Sequence, residues 1–370
     1  MRIVYDATPL LLRSAGVKNY HHALLVRLLP RAAPHAMELF PFLDSLGRHR
    51  NEGSNFSRAA TVARLGAVLA ANYARLPLGR WATRRADVFH VTHHLMHPPR
   101  RGRLTSFVHD PTPLLMPEFH TASNVRYFRH FVEQVLPRLD GVLVPSEAVK
   151  RDLVEQLHAA ERRITVVPHG VDESFFAPTL TQGVRDTYNV PERFILSVGA
   201  QEPRKNLVTL LEAYRRLPEE LRRDVPLVVA GPRGWKDAAL RRALDQTAVS
   251  GVLTIGYVNP VLLPALYSLA TLFVFPSLYE GFGMPILEAM AAGAPVITSN
   301  VSSMPEVAGD AGLTVDPRSA AELTSGIERL LTDAALAKAL SERGRARART
   351  FTWERTALAT RAFFERVAGA

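Results

Sequence analysis

Residues Leu278–Pro317 read LYEGFGMPILEAMAAGAPVITSNVSSMPEVAGDAGLTVDP, and the apolar run Leu272–Phe275, LFVF, stands just before them. A short apolar run that breaks into a glycine-rich loop and then into a helical pattern is a strand, a turn and a helix. Pro285 favours a helix start near itself. Met284, before it, cannot cap, so the amides of Ile286 and Leu287 are expected to lack a side-chain acceptor. Open amides at the positive end of a helix form a phosphate or hydroxyl site. Gly281 and Gly283 let backbone come close to a ligand. Val296–Thr298 and Leu313–Val315 then read as two more strands, so the segment is a strand–helix–strand unit of a parallel sheet.

The same alternation runs through the whole chain. In the first half the strand candidates are Arg2–Ala7, Met37–Leu43, Asp87–Val91, Leu104–His109, Val142–Pro145 and Ile164–Pro168. In the second half they are Phe194–Val198, Leu227–Ala230, Leu253–Tyr257, Leu272–Phe275, Val296–Thr298 and Leu313–Val315. Continuous apolar runs of this kind mark strands buried on both faces. Leu207, Leu210, Leu211, Tyr214 and Leu217 share one helical face. The 370 residues exceed one ordinary core. The expected fold is therefore α/β, with two Rossmann-like domains, residues 1–178 and 179–351, whose parallel sheets face a cleft. Ligands of such sheets sit at the carboxyl ends of the strands.

Composition narrows the function. The chain has no cysteine, which removes disulfides, thiolate catalysis and cysteine zinc sites. The N-terminus MRIVYDATPL reads as a strand and turn rather than a signal peptide, and no apolar run reaches membrane-spanning length. These features point to the cytoplasm. Residues 1–138 hold 19 Lys and Arg against 8 Asp and Glu, and all 13 histidines lie at or before His169. A basic first half suits an anionic partner such as a membrane surface or a lipid diphosphate; high arginine usage explains it equally well. Residues 44–85 fit the alternation least. They carry Arg48, Arg50, Arg58, Arg64, Arg75, Arg80, Arg84 and Arg85, and Leu65, Val68, Leu69, Asn72 and Tyr73 suggest one amphipathic helix. Such a helix more often packs on its own domain than lies on a membrane.

Four stretches carry candidate chemistry. Glu280 lies in the glycine-rich loop and Glu288 one turn into the helix, where both can face the loop mouth; paired carboxylates suit sugar and ribose hydroxyls. A first-turn acid also answers the helix dipole without any ligand. In SVGAQEPRKNL, Ser197–Leu207, the adjacent Arg204 and Lys205 can neutralise a diphosphate without a metal. In SFVHDPTPLLMP, Ser106–Pro117, His109 and Asp110 close a strand, and a histidine there can bond a hydroxyl or shuttle a proton. In DATPLLLRSAGVKNY, Asp6–Tyr20, Gly16 falls where a helix begins. His90, His93, His94 and His97 look like metal ligands, but no acid lies close by, so no metal site is expected.

These residues resemble the retaining glycosyltransferases of family 4, which have the two-domain GT-B fold. EGFGMPILEAMAAG matches that family's paired-glutamate motif. EPRKNL at Glu202–Leu207, HDPTPLLMPE at His109–Glu118, VPSEAVKRDL at Val144–Leu153 and VPHGVDESFF at Val167–Phe176 are similar to its recurring segments. The resemblance implies that Arg204 and Lys205 hold a nucleotide-sugar's diphosphate and that Glu288 holds the ribose. Glu280, with the backbone of Phe282, Gly283, Met284 and Pro285, would hold the transferred sugar, and His109 would contact it near the reacting carbon. Gly16 would lie beside the distal phosphate. The last helix, within residues 352–370, would cross back to the first domain. Many relatives carry an arginine where Ala200 follows Gly199, so the clamp rests more on Arg204 and Lys205.

The implied enzyme is a metal-independent hexosyltransferase with no cofactor beyond its donor. Its donor is expected to be GDP-mannose, and its acceptor a saccharide or a lipid-diphosphate-linked saccharide at the inner membrane face. An epimerase or hydrolase of the same fold is the first alternative. A basic nucleic-acid-binding protein is the second, but no aromatic-interleaved basic strand or recognition helix supports it, so nucleic acid is not an expected partner.

Overall fold

A computed structural model describes every residue except 13–14, 51–52, 74–85, 100–101, 235–239, 241, 244–250 and 370. The chain forms two compact units. The first comprises Met1–Gly170 with Trp353–Ala370, and the second Val171–Thr352. The first divide falls ahead of the expected Pro178 because Val171 and Phe175 are buried in a core of the second unit.

In the first unit the strands are β1 (Arg2–Asp6), β2 (Ala36–Phe40), β3 (Val88–Val91), β4 (Arg103–Phe107), β5 (Gly141–Val144) and β6 (Ile164–Val166). They form one sheet in the order β2-β1-β3-β4-β5-β6, with every pairing parallel. The strand order turns between β1 and β3, where an open α/β sheet leaves a crevice beyond its carboxyl ends. Phe363 and Phe364, on the Trp353–Ala368 helix, are fully buried. The Phe364 ring meets His90 edge-on at 5.3 Å, and Trp353 stacks on His169 at 6.2 Å.

The expected amphipathic helix runs over Arg58–Tyr73. Val68 is buried, and the Asn72 amide donates to His94 O at 2.8 Å, so one face packs on its own unit. Arg75, Arg80, Arg84 and Arg85 lie outside the described residues. No helix among the described residues is long and apolar enough to cross a membrane.

In the second unit the strands are β7 (Ile195–Val198), β8 (Leu227–Ala230), β9 (Val252–Gly256), β10 (Leu272–Phe275), β11 (Val296–Ser299) and β12 (Leu313–Val315). The sheet order is β12-β11-β10-β7-β8-β9, again all parallel. Side chains alternate across it. Leu272 and Val274 enter one core, and Phe273 and Phe275 enter the other. Both faces are thus covered, which is why these strands read as unbroken apolar runs. The order turns between β7 and β10. The helix after β7, Leu207–Arg216, packs in one core, and the helix after β10, Met284–Ala292, packs in the other. The loops leaving β7 and β10 therefore diverge from adjacent strands and open a crevice.

Candidate functional site

The second unit's candidate residues sit at that crevice. Pro203–Lys205 form one turn of 3₁₀ helix after β7, and Asn206 follows with φ 58°. Asparagine tolerates this left-handed backbone. Its side-chain amide donates to Pro276 O at 3.0 Å and to Pro317 O at 2.6 Å, tying the turn to the loop after β10. Leu278 N donates to Arg204 O at 2.9 Å, a second tie.

Three donors converge on a single oxygen of that loop. Arg204 Nη1 lies 2.9 Å from Glu280 Oε1, Lys205 Nζ 2.7 Å, and Ser277 Oγ 2.6 Å. Arg204 also donates to Tyr279 O at 2.5 Å, and Lys205 Nζ lies 4.8 Å over the Phe275 ring. Burial pushes the Glu280 carboxyl up, but Arg204 and Lys205, with Ser277, outweigh it and hold it at about 2. The two cations are thus largely buried and already matched to one carboxylate. Serines at the end of β11 and in the turn beyond it fix the loop from the other side: Ser303 Oγ is 2.8 Å from both Glu280 O and Phe282 O, and Ser299 Oγ donates to Ser277 O at 2.7 Å.

Glu288 belongs to a separate network. The Tyr267 hydroxyl donates to its Oε2 at 3.0 Å, and burial raises its carboxyl to about 7. The structure therefore brings Glu280 together with Arg204 and Lys205, while Glu288 pairs with a tyrosine that sequence reading did not single out.

The helix start differs from expectation. It begins at Met284, with Gly283 as its cap at φ 104°. The amides of Ile286 and Leu287, expected to be open, both donate to Gly283 O, at 3.0 and 3.4 Å. The left-handed glycine turns its carbonyl onto them. With Pro285 lacking an N–H, Met284 carries the first-turn amide that remains. A Cβ at Gly283 would lie 3.0 Å from Ile286 Cδ1 in addition to the strained φ, so the position demands glycine. Phe282 is buried and meets Phe351 edge-on at 5.9 Å.

In the first unit His109 lies two residues past the end of β4. Its ring packs on Tyr20 and Phe107, each at 4.7 Å, and its buried Nε2 has no hydrogen-bond partner among the described residues. Burial drives its imidazole down to about 3, so it is neutral. Asp110 fixes the turn that follows: its Oδ1 accepts the Thr112 amide at 3.0 Å and the Thr112 hydroxyl. Gly16 is exposed in the first turn of the Ala15–Leu28 helix, and a Cβ there would meet nothing within 4 Å.

His90, His93, His94 and His97 do not converge. His90 stacks on Tyr5 at 4.7 Å and bonds Thr105, whereas His97 packs on His130. Among the described residues no three His, Asp or Glu side chains are grouped as metal ligands.

Sequence reading missed the serines at 277, 299 and 303, Tyr267, and buried Asp6. Asp6 Oδ1 accepts Thr8 N at 3.0 Å and Oδ2 accepts Thr92 N at 3.1 Å, which ties the loop after β1 to that after β3. The run TSNVSSMPE held the only hint of the serine cluster.

Solved structures share this fold across the whole chain. Sucrose-phosphate synthase from Thermosynechococcus elongatus matches with a TM-score of 0.73 at 20% identity, covering 99% of this chain and 98% of that one. Anabaena HepE in complex with UDP and glucose matches at 0.71 and 17% identity, covering 100% of both. The fold is that of the GT-B glycosyltransferases. Family models agree: residues 23–175 match Glycosyltransferase Family 4, and residues 185–347 match Glycosyl transferases group 1. O-antigen chain mannosyltransferase B of Escherichia coli is 32% identical over 96% of this chain and 97% of its own length. The chain belongs to this glycosyltransferase family and is an enzyme of that class.

Proposed function

We propose that the chain is a retaining, metal-independent hexosyltransferase that moves mannose from GDP-mannose to a saccharide or lipid-linked saccharide acceptor. One observation carries the donor half of this reading: Arg204 and Lys205 share Glu280 Oε1 at the switch point of the second sheet. Two adjacent cations at the carboxyl edge of such a sheet suit a diphosphate. As the bond to the anomeric carbon breaks, they stabilise charge on the leaving nucleoside diphosphate, with no divalent ion in the step. Glu288 accepts from ribose hydroxyls, and Glu280 with the Phe282–Pro285 backbone holds the sugar. From the first unit, His109 and Gly16 are assigned to the sugar and the distal phosphate on the family resemblance.

The likeness to an O-antigen mannosyltransferase supports mannose as the sugar. The basic balance of residues 1–138 supports action in the cytoplasm, peripheral to an anionic membrane. The test is transfer from GDP-mannose against UDP-glucose in excess chelator, with the anomer of the product read by NMR. Retained configuration and unimpaired turnover from GDP-mannose are expected. A strict divalent requirement or an inverted product overturns the reading.

A further inference from the structure

Glu288 is the charged residue of the Met284–Ala292 helix, and Ile286, Leu287 and residues 289–292 around it are buried. Its Oε2 accepts the Tyr267 hydroxyl at 3.0 Å. Tyr267 belongs to the helix before β10, Leu263–Leu269, and is fully buried. Its ring meets Phe273 of β10 edge-on at 5.2 Å and packs on Phe175 at 5.9 Å. Tyr267, Phe273 and Leu287 share one core, so the helices before and after β10 lie side by side on the same face of it.

Packing alone does not call for the hydroxyl, since a phenyl ring fills the same space between Phe175 and Phe273. A buried hydroxyl is costly unless it finds an acceptor, and this one finds a carboxylate. Burial, with the Glu288 charge, holds the phenol well above its ordinary value, so Tyr267 stays protonated and donates. Oε2 is thereby held, while Glu288 keeps part of its surface exposed and no hydrogen bond among the described residues engages Oε1. Charged groups on the elements packed against this helix are occupied elsewhere or point to solvent. Arg345 donates to Phe176 O and Arg347 to Glu306 O and Val307 O, whereas Glu173, Lys338, Glu342 and Arg343 are exposed. Tyr267 is thus the titratable group that acts on the Glu288 carboxyl.

We infer that Tyr267 is a positioning residue, which holds Glu288 Oε2 so that Oε1 is aimed to accept a ribose hydroxyl of the donor. An ionised carboxylate accepts on both oxygens, so one can be tied to the protein while the other takes ligand. The same bond also acts on the charge. Burial pushes the Glu288 carboxyl up and the Tyr267 bond pulls it down, because a hydrogen bond to the charged form favours that form. Without the hydroxyl, burial acts unopposed and the carboxyl rises further. Tyr267 therefore sets both where the carboxylate points and the pH above which it is ionised. The inference rests on the assignment of Glu288 to the ribose, but not on which sugar is transferred.

The test is the affinity of the full-length protein for GDP and for 2′,3′-dideoxy-GDP, whose phosphates titrate alike, measured from pH 6 to 9. Wild type is expected to prefer GDP, by a margin that grows with pH. In Tyr267→Phe the same rise is expected about one pH unit higher, the tenfold effect of losing one hydrogen bond to a charged acceptor. GDP then binds about fivefold more weakly than to wild type at pH 7, and most of that loss is regained by pH 9. Affinity for the dideoxy nucleotide stays as in wild type, which also shows that the variant is folded. In a Glu288→Gln background the Tyr267→Phe change is expected to add no pH-dependent effect. A wild-type pH profile in Tyr267→Phe overturns the inference. So does an equal loss at every pH, the mark of disturbed packing. Equal binding of GDP and the dideoxy nucleotide by wild type overturns instead the ribose assignment beneath it.

Discussion

Lys205 Nζ lies 2.7 Å from Glu280 Oε1, so the cation assigned to the donor's diphosphate already holds an anion of the protein. Any nucleoside diphosphate must compete with that carboxylate or share the cations with it. Replacing Glu280 by Gln removes the competitor while keeping its shape. GDP is expected to bind the Glu280→Gln protein about tenfold more tightly, the scale of one charge-assisted hydrogen bond, while sugar transfer falls. Isothermal titration checks the first part and initial rates the second; weaker GDP binding would show that Glu280 chiefly orients the cations.

Lys205→Ala leaves Glu280 with Arg204 and Ser277, both still within hydrogen-bond reach. The fold is therefore expected to survive. Loss of one charge-stabilising donor costs on the order of 2–4 kcal/mol in the barrier, so kcat should drop by about two to three orders of magnitude. Wild-type transfer rates, with folding verified by circular dichroism, would remove Lys205 from the site.

The Glu288 carboxyl, raised to about 7 by burial, titrates near neutrality. A ribose hydroxyl donates best to the ionised form. GDP affinity is expected to rise as the pH goes from 6 to 8 and to lose this slope in Glu288→Gln. The stability effect runs the opposite way. A carboxyl whose folded value is raised binds more protons folded than unfolded between its ordinary value and about 7, so its contribution to stability falls as the pH rises through that window.

The first unit should be the acid-sensitive one, since all 13 histidines fall within Met1–Gly170. Burial lowers His21 and, to about 3, His90, each 1% exposed. For a depressed imidazole the stabilising contribution is complete above its ordinary value and declines as the pH falls below it. Each such group costs about 1.4 kcal/mol per pH unit below roughly 6.5. Hydrogen exchange at pH 5 should show faster opening in the sheet of β1–β6 than in that of β7–β12.

Most of the fold was legible because parallel strands buried on both faces leave an unmistakable mark. Phe273 and Phe275 fill one side of β10 and Leu272 and Val274 the other, so the run is apolar throughout. The loop carrying Glu280 was legible from its glycines and Pro285. Its internal bonding was not, for a local reason and a distant one. The cap depends on Gly283 adopting φ 104°, which turns a carbonyl onto the very amides expected to be open. The loop is also fastened by Ser299 and Ser303, about twenty residues on, whose approach depends on β11 pairing beside β10. In the same way buried Asp6 ties the loop after β1 to Thr92, 86 residues along the chain, through a bond that only the pairing of β1 with β3 creates.

Phe364 is fully buried in the first unit although the whole second unit precedes it in the chain. During synthesis the uninterrupted Val171–Thr352 unit has all its residues before the earlier one does. The second unit can thus close on the nascent chain while the sheet of β1–β6 still lacks the aromatic side chains of its last helix.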